Sequence, residues 1–402
     1  MVRVYDHARS LLRARDGGEQ RVTPLELFFD LVYVFAVTQL SHRLLEHLSV
    51  RGVLETLILL LAVWGVWIYT AWFTNWFDPT TLAVRLVLVG VMLASLFMSV
   101  AIPEAFGERG LMFALAYVVI QVGRTAFTFI AFRKSLGASH PLSRNFQRVL
   151  SWLVAGGVLW IIGGLLDAEA RYAVWVLALA VDYGGAVVNF YIPGLGRSRT
   201  EEWTIEGGHF AERCQLFVII ALGESILVTG TTFAEIEASA LAVCAFVVAF
   251  LGSVALWWIY FARSAEAARE VFTSSEDPGR LGRSAYTYFH IPMVAGIIAI
   301  AADDELTVAH PSEQATLASV ALTLGGTALF LAGHGIFKWA VFGVLPFSQA
   351  VAIAALAALI PVGFEIPTLA LSSVASLIVV GLAVWDTLTH RKPVRPEQQS
   401  TT

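Results

Sequence analysis

The chain has 402 residues, of which 57% are hydrophobic and only 14% charged, with a net charge of −5 and a mean hydropathy of +0.72. A soluble domain carries about 25% charged residues, and a single soluble core stops growing near ~250–300 residues, so an ordinary water-soluble enzyme is excluded. The small net charge also removes nucleic acid as a partner; the composition asks for a lipid bilayer.

A membrane-spanning helix needs about 20 mostly apolar residues. In chain order such runs lie near 24–44, 53–74, 83–102, 111–132, 146–166, 172–192, 209–230, 238–262, 284–302, 314–338, 346–362 and 367–388, the eleventh being short. The fold class expected is therefore all-α: a polytopic membrane protein of about 12 transmembrane helices. Residues 1–21 carry five arginines and no apolar stretch, so no cleavable leader is expected and this tail stays in the cytoplasm.

The charges test this topology. With the N-terminus inside, twenty of the 26 basic residues fall in inside segments, among them Arg133, Lys134, Arg197, Arg199, Arg263, Arg269, Arg280 and Arg283. The outside segments hold Arg43, Arg51, Arg109 and Arg171, and acidic loops such as Asp303 to Glu305. That is the positive-inside asymmetry, and it places a multi-pass protein in the cell membrane with both termini cytoplasmic.

Two six-helix halves are expected. Trp67-Ile68-Tyr69 closes span two and Trp257-Trp258-Ile259-Tyr260 closes span eight; Glu26 opens span one and Glu212 opens span seven. Six helices per half give both halves one orientation, a parallel repeat. The divisions are a tail at 1–21, repeat one at 22–192, a cytoplasmic linker at 193–208, repeat two at 209–390 and a cytoplasmic tail at 391–402.

Ionisable residues inside spans cost on the order of 2.5–3.5 kcal/mol each, which makes them candidates for a substrate or ion pathway. Span one holds Glu26, Asp30, Thr38 and Ser41 on one stripe, at about 100° per residue. Thr23-Pro24-Leu25-Glu26 also fits a helix cap, the competing reading for Glu26. In span seven His209, Glu212, Arg213 and Glu224 share a face, and Gly223 offers room for a neighbouring backbone. In span four Arg124 follows Tyr117 and Gln121 and is a counter-ion candidate for Asp30 or for Asp182, which shares a face with Asn189 in span six. His290 lies in span nine, and His334 and Lys338 stand one turn apart in span ten. The expected arrangement is a polar pathway lined by spans one, four, six, seven, nine and ten; separate structural ion pairs are the alternative.

Enzyme motifs are absent: no H-E-x-x-H, no Walker A, no G-x-S-x-G. No catalytic residue, metal ligand or cofactor is expected. Trp72, Trp76, Trp257, Trp258, Trp339 and Trp385 near span ends read as an interfacial belt. Cys214 and Cys244 lie in apolar runs and read as small core residues.

The run Pro24-Leu25-Glu26-Leu27-Phe28-Phe29-Asp30-Leu31-Val32-Tyr33-Val34-Phe35-Ala36-Val37-Thr38-Gln39-Leu40-Ser41 resembles the signature of the bacterial low temperature requirement A (LtrA) family, as do His209-Phe210-Ala211-Glu212-Arg213 and Ala221-Leu222-Gly223-Glu224-Ser225. The likeness covers roughly residues 20–390 and implies a membrane protein linked by name to growth in the cold. Phe28-Phe29-Asp30 with Val32, Ala36 and Thr38 is also similar to the first-helix Phe-Ser-Asp motif of the endolysosomal-type potassium channels with two six-helix repeats. Phe29 replaces the serine, and Gln215-Leu216 stands where the second motif should be.

Three classes of function fit these residues. A secondary transporter, including a proton-coupled one, matches the buried acids and the repeat. A cation channel and a non-transport role, as intramembrane enzyme or envelope scaffold, are the alternatives. The partners expected are the bilayer and a small solute, proton or cation; a homo-oligomer is left open.

Overall fold

A computed structural model of the chain describes residues 11–15 and 20–389. The expected tail 391–402, and residues 1–10 and 16–19 of the other tail, lie outside the described residues.

Helix α1, Pro24–Glu46, starts on a capping box. The Glu26 backbone N–H meets the Thr23 hydroxyl, and the Glu26 carboxylate accepts the Thr23 backbone N–H in return, with Pro24 in the first turn. Helix α2 (Val50–Trp76) is capped by Ser49, and α3 (Leu82–Ala101) follows. Helix α4 (Gly110–Leu136) stops at Gly137, whose φ of 93° no β-carbon favours. Helix α5 (Pro141–Leu165) and α6 (Ala168–Val187) complete the first half. The second half has α7 (Gly207–Glu235), α8 (Ala240–Phe261) and the short amphipathic α9 (Ser264–Thr273). Then come α10 (Pro278–Ala309), α11 (Leu317–Phe342), α12 (Phe347–Ala358) and α13 (Thr368–Thr389). Wider π turns interrupt α10 at Gly282–Tyr288 and α11 at Ala321–Gly325.

Every helix except α9 falls on one of the twelve expected spans. Ten are long and apolar enough to cross a bilayer, so the chain is an all-α multi-pass membrane protein. The two outside that set have evident reasons. Helix α12 has only 12 residues, about 18 Å at 1.5 Å per residue against a ~30 Å hydrocarbon core. Helix α6 carries Glu169, Arg171 and Asp182.

Helices α1 and α7 run parallel. Glu26 meets His209, Asp30 meets Arg213, and Thr38 meets Glu224, so the partners climb both helices in step. Parallel neighbours in a run of alternating antiparallel helices require an odd number of helices between them, here the five from α2 to α6. The two halves also share a scheme of neighbours. Helices α1–α2, α1–α3, α3–α4, α4–α5, α5–α6 and α2–α6 touch in the first half; α7–α8, α7–α10, α10–α11, α11–α12, α12–α13 and α8–α13 touch in the second.

The burial pattern is that of a lipid-facing bundle. On α1 the polar stripe Glu26, Asp30 and Ser41 is buried, while Leu27, Phe28 and Leu31 point outward. Two expectations are corrected here. Asp303, Asp304 and Glu305 are not in an outside loop but in the last turns of α10, because hydroxyls of other helices receive the two aspartates. Trp72 and Trp76 are not belt residues; they pack with Trp203, Phe210 and Phe146 inside the protein. Trp257, Trp258, Trp339 and Trp385 are exposed, as a belt requires, and of the two cysteines only Cys214 is buried.

Candidate functional site

The first cluster joins the starts of α1 and α7. Glu26 is fully buried, and one of its oxygens accepts from Arg13 Nη2 at 2.8 Å and from the Thr23 backbone N–H at 2.9 Å. The other lies 2.8 Å from His209 Nε2. Glu26 therefore caps α1 and at the same time meets Arg13 and His209 across the seam. The tautomer of His209 follows from its neighbours. Asn75 Oδ1 accepts the Glu206 backbone N–H, so Asn75 Nδ2 is the donor at 3.3 Å from His209 Nδ1. Nδ1 thus accepts and Nε2–H donates to Glu26.

One turn on, Asp30 binds Arg213 through two parallel bonds of 2.7 and 2.8 Å and accepts from Trp67 Nε1 at 2.9 Å. The guanidinium lies 5.6 Å from the Phe29 and Trp67 ring centres, a packing that suits a weakly hydrated cation. Farther along, Thr38 donates to Glu224 at 2.5 Å, and the second Glu224 oxygen is buried with no partner. Glu212 stays at the edge of this seam, where it accepts the Val22 backbone N–H at 3.3 Å. The space beside Gly223 is open, so the close backbone approach expected there does not occur.

The second cluster is a cavity between α2, α4, α5, α6 and the start of α10, with about 930 Å³ of space including its mouth. Tyr69, Trp72, Phe73, Tyr183, Trp203 and Tyr288 are among the aromatic residues of its wall. Arg124 lines it and is 3% exposed. It pairs with neither Asp30 nor Asp182. Its acceptors are the Val66 carbonyl at 3.1 Å, the Thr70 hydroxyl at 2.8 Å and the Gln121 side-chain oxygen, all neutral. Asp30 is already occupied by Arg213, and Asp182 accepts from Tyr117 at 2.7 Å and Trp160 at 2.9 Å. Asn189 bonds Arg283 at the rim rather than Asp182. The cavity is thus walled by spans two, four, five, six and nine; of the spans expected to line it, one, seven and ten take no part.

The remaining candidates are separate. His290 donates from Nδ1 to the Ala285 carbonyl across the π turn, accepts from Tyr260 at 2.8 Å, and stacks on Tyr286. His334 accepts from Gln349 at 2.6 Å, while Lys338 turns away to Asp386 at 3.4 Å. The structural-pair alternative describes Lys338. Among the described residues, no group of three or more His, Cys, Asp or Glu could hold a metal ion.

A third cluster was missed by sequence reasoning: Asp303 and Asp304 with Ser225, Ser253 and Ser372. The available signal was Thr307, one turn beyond Asp303 and still helical.

Asp182 carries a direct prediction. Its Oδ1 lies 2.1 Å from where a β-carbon on Gly156 would stand. Gly156→Ala should drive the carboxylate off Tyr117 and Trp160 and cost about 1–3 kcal/mol. Gly184→Ala on α6, with nothing within 4 Å, should leave the melting temperature of detergent-purified protein unchanged.

A family model described as Bacterial low temperature requirement A protein (LtrA) matches residues 21–384. The chain belongs to the LtrA family. An uncharacterized protein of Rhizobium meliloti is similar to this LtrA-family chain, 37% identical over 378 residues, 93% of this chain and 91% of the relative. No solved structure matches it. The LtrA region contains all three clusters, but Arg13 and Asp386 lie outside it.

Proposed function

We propose that this LtrA-family protein is a secondary transporter of a small organic solute in the cell membrane, proton-coupled and without an enzymatic step, with both termini cytoplasmic. The observation that carries the reading is the aromatic cavity with Arg124 in its wall. A buried charge is expensive unless an opposite charge meets it, and Arg124 has only neutral acceptors. A carboxylate or other anionic group entering the cavity would complete the pair, and the aromatic wall would take an apolar body. The solute class is therefore an organic anion with an apolar part.

The shared neighbour scheme and the parallel α1 and α7 support two six-helix repeats, 22–192 and 209–390. The cavity belongs mainly to the first half, but Gly279, Arg283, Thr287 and Tyr288 of the second half close one side. Movement of one half against the other would open and cover the cavity, as alternating access requires. The seam of Glu26, His209, Asp30 and Arg213 ties the halves where that movement would pivot.

Proteoliposomes loaded with a pH-sensitive dye test this. Benzoate and phenylpyruvate, added against matched amines, should move protons in a solute-dependent way. Arg124→Gln should abolish that movement while the protein remains folded. A cation channel is the second reading, favoured by Asp30, which Trp67 and Arg213 hold as a brace inside α1. It predicts potassium flux that follows the imposed voltage, needs no organic solute and survives Arg124→Gln; that result would replace the transporter reading.

A further inference from the structure

The third cluster lines a second, smaller pocket between α8, α10, α11 and α13, with about 360 Å³ of space. Its polar wall consists of Asp303, Asp304, Thr323, Thr327, Ser372 and Ser376. No Lys, Arg or His is among the described residues that line it. Two carboxylates thus share a membrane-embedded pocket with no protein cation, although each is buried, Asp303 to 2% and Asp304 to 6% exposure.

The hydrogen bonds show which oxygens are spent and which are not. Asp304 accepts from Ser225 at 2.5 Å, and Ser225 lies 2.9 Å from Ser253. Asp303 accepts from Ser372 at 3.1 Å through one oxygen; its other oxygen is buried and has no partner. Thr323 donates to the Ser319 carbonyl at 2.8 Å and Thr327 to the Thr323 carbonyl at 2.6 Å. The Thr327 hydrogen is therefore committed to the helix and its hydroxyl lone pairs remain as acceptors, while the Thr323 hydroxyl also faces Asp303. Gly252 leaves room for Ser376, whose hydroxyl lies 3.1 Å from where a β-carbon would stand.

We propose that this pocket is a binding site for a sodium ion. The unpartnered Asp303 oxygen supplies the charge. Thr323, Thr327 and Ser376 supply neutral oxygens, hard donors of the kind that hard cations take in place of water. The second acid, Asp304, stays tied to Ser225 and adds field. The site lies apart from the aromatic cavity, so in the proton-coupled transporter reading it would hold a second ion beside the proton, while binding itself does not depend on that reading.

The test uses the full-length protein purified in detergent, where no transport occurs. Its melting temperature is followed by tryptophan fluorescence in sodium-free choline chloride, then with NaCl, KCl or CaCl2 replacing choline at equal ionic strength. The expected result is a saturable rise of several degrees with NaCl that KCl and CaCl2 do not match. Asp303→Asn should lose the response, and in choline it should melt no lower than the wild type, because it removes an uncompensated charge. Thr327→Val should keep the fold and shift the sodium titration by roughly tenfold. Identical curves in NaCl and choline chloride would overturn the proposal. So would an equal response to potassium or calcium, or a full sodium response in Asp303→Asn. Sodium binding without solute-dependent proton movement would keep this site and remove the transporter reading; the reverse would do the opposite.

Discussion

Asp30→Ala should destabilise the protein by about 3–5 kcal/mol, the cost of stranding one member of a buried ion pair. Arg213 is fully buried and Asp30 is 3% exposed, so no water can replace the missing carboxylate. Trp67 loses its acceptor in the same step. Arg213→Ala should cost a similar amount, since it strands Asp30 and removes the bond to the Glu26 carbonyl. The combined variant Asp30→Leu with Arg213→Met should recover most of the loss, because a buried pair stabilises little beyond apolar groups of the same volume. Melting temperatures of the wild type, Asp30→Leu, Arg213→Met and their combination in one detergent form the cycle that measures the coupling. Singles within a degree or two of the wild type would show that the pair is not the clasp between α1 and α7 described above. A double variant no better than the singles would place the loss in Trp67 or the backbone instead.

Gly296→Val should be as damaging, for a reason of space. A β-carbon on Gly296 would stand 2.6 Å from the Gly326 carbonyl oxygen and the Phe330 backbone nitrogen. Both are backbone atoms of α11 and cannot swing aside. Gly326 is in turn tight against Ala299, and Gly333 against the Met293 backbone nitrogen. Three glycines thus let α10 and α11 approach closely, the usual role of small residues between membrane helices. Overpacking costs typically 1–3 kcal/mol and more where neighbours cannot yield. Loss of a monodisperse peak in size-exclusion chromatography is the expected outcome. Gly123→Ala, with nothing within 4 Å, should run as wild type. A monodisperse, unshifted Gly296→Val would mean that α10 and α11 can separate without penalty.

The spans were legible because the bilayer imposes one rule along the whole chain: a run of about 20 apolar residues satisfies its own backbone in hydrocarbon. Helix starts were legible where a side chain caps its own backbone, as Thr23 and Glu26 do. The stripe of Glu26, Asp30 and Thr38 was legible as well, since helical periodicity alone places them together. Each of these is local, written within one turn or one span.

Partners were not legible in the same way. Arg124 and Arg213 both stand inside spans, and periodicity gives each a face but not the helix that meets it. Packing of α1 against α7 gave Asp30 to Arg213, and that left Arg124 to the aromatic cavity. Hydropathy ended span nine before Asp303, because it counts a carboxylate as a cost without seeing the hydroxyls that receive it. Those hydroxyls come from α7 and α13, far away along the chain. Helix number and class were thus decided by local rules acting on the sequence, whereas the charge pairs, the cavity and the sodium pocket were decided by contacts between distant helices.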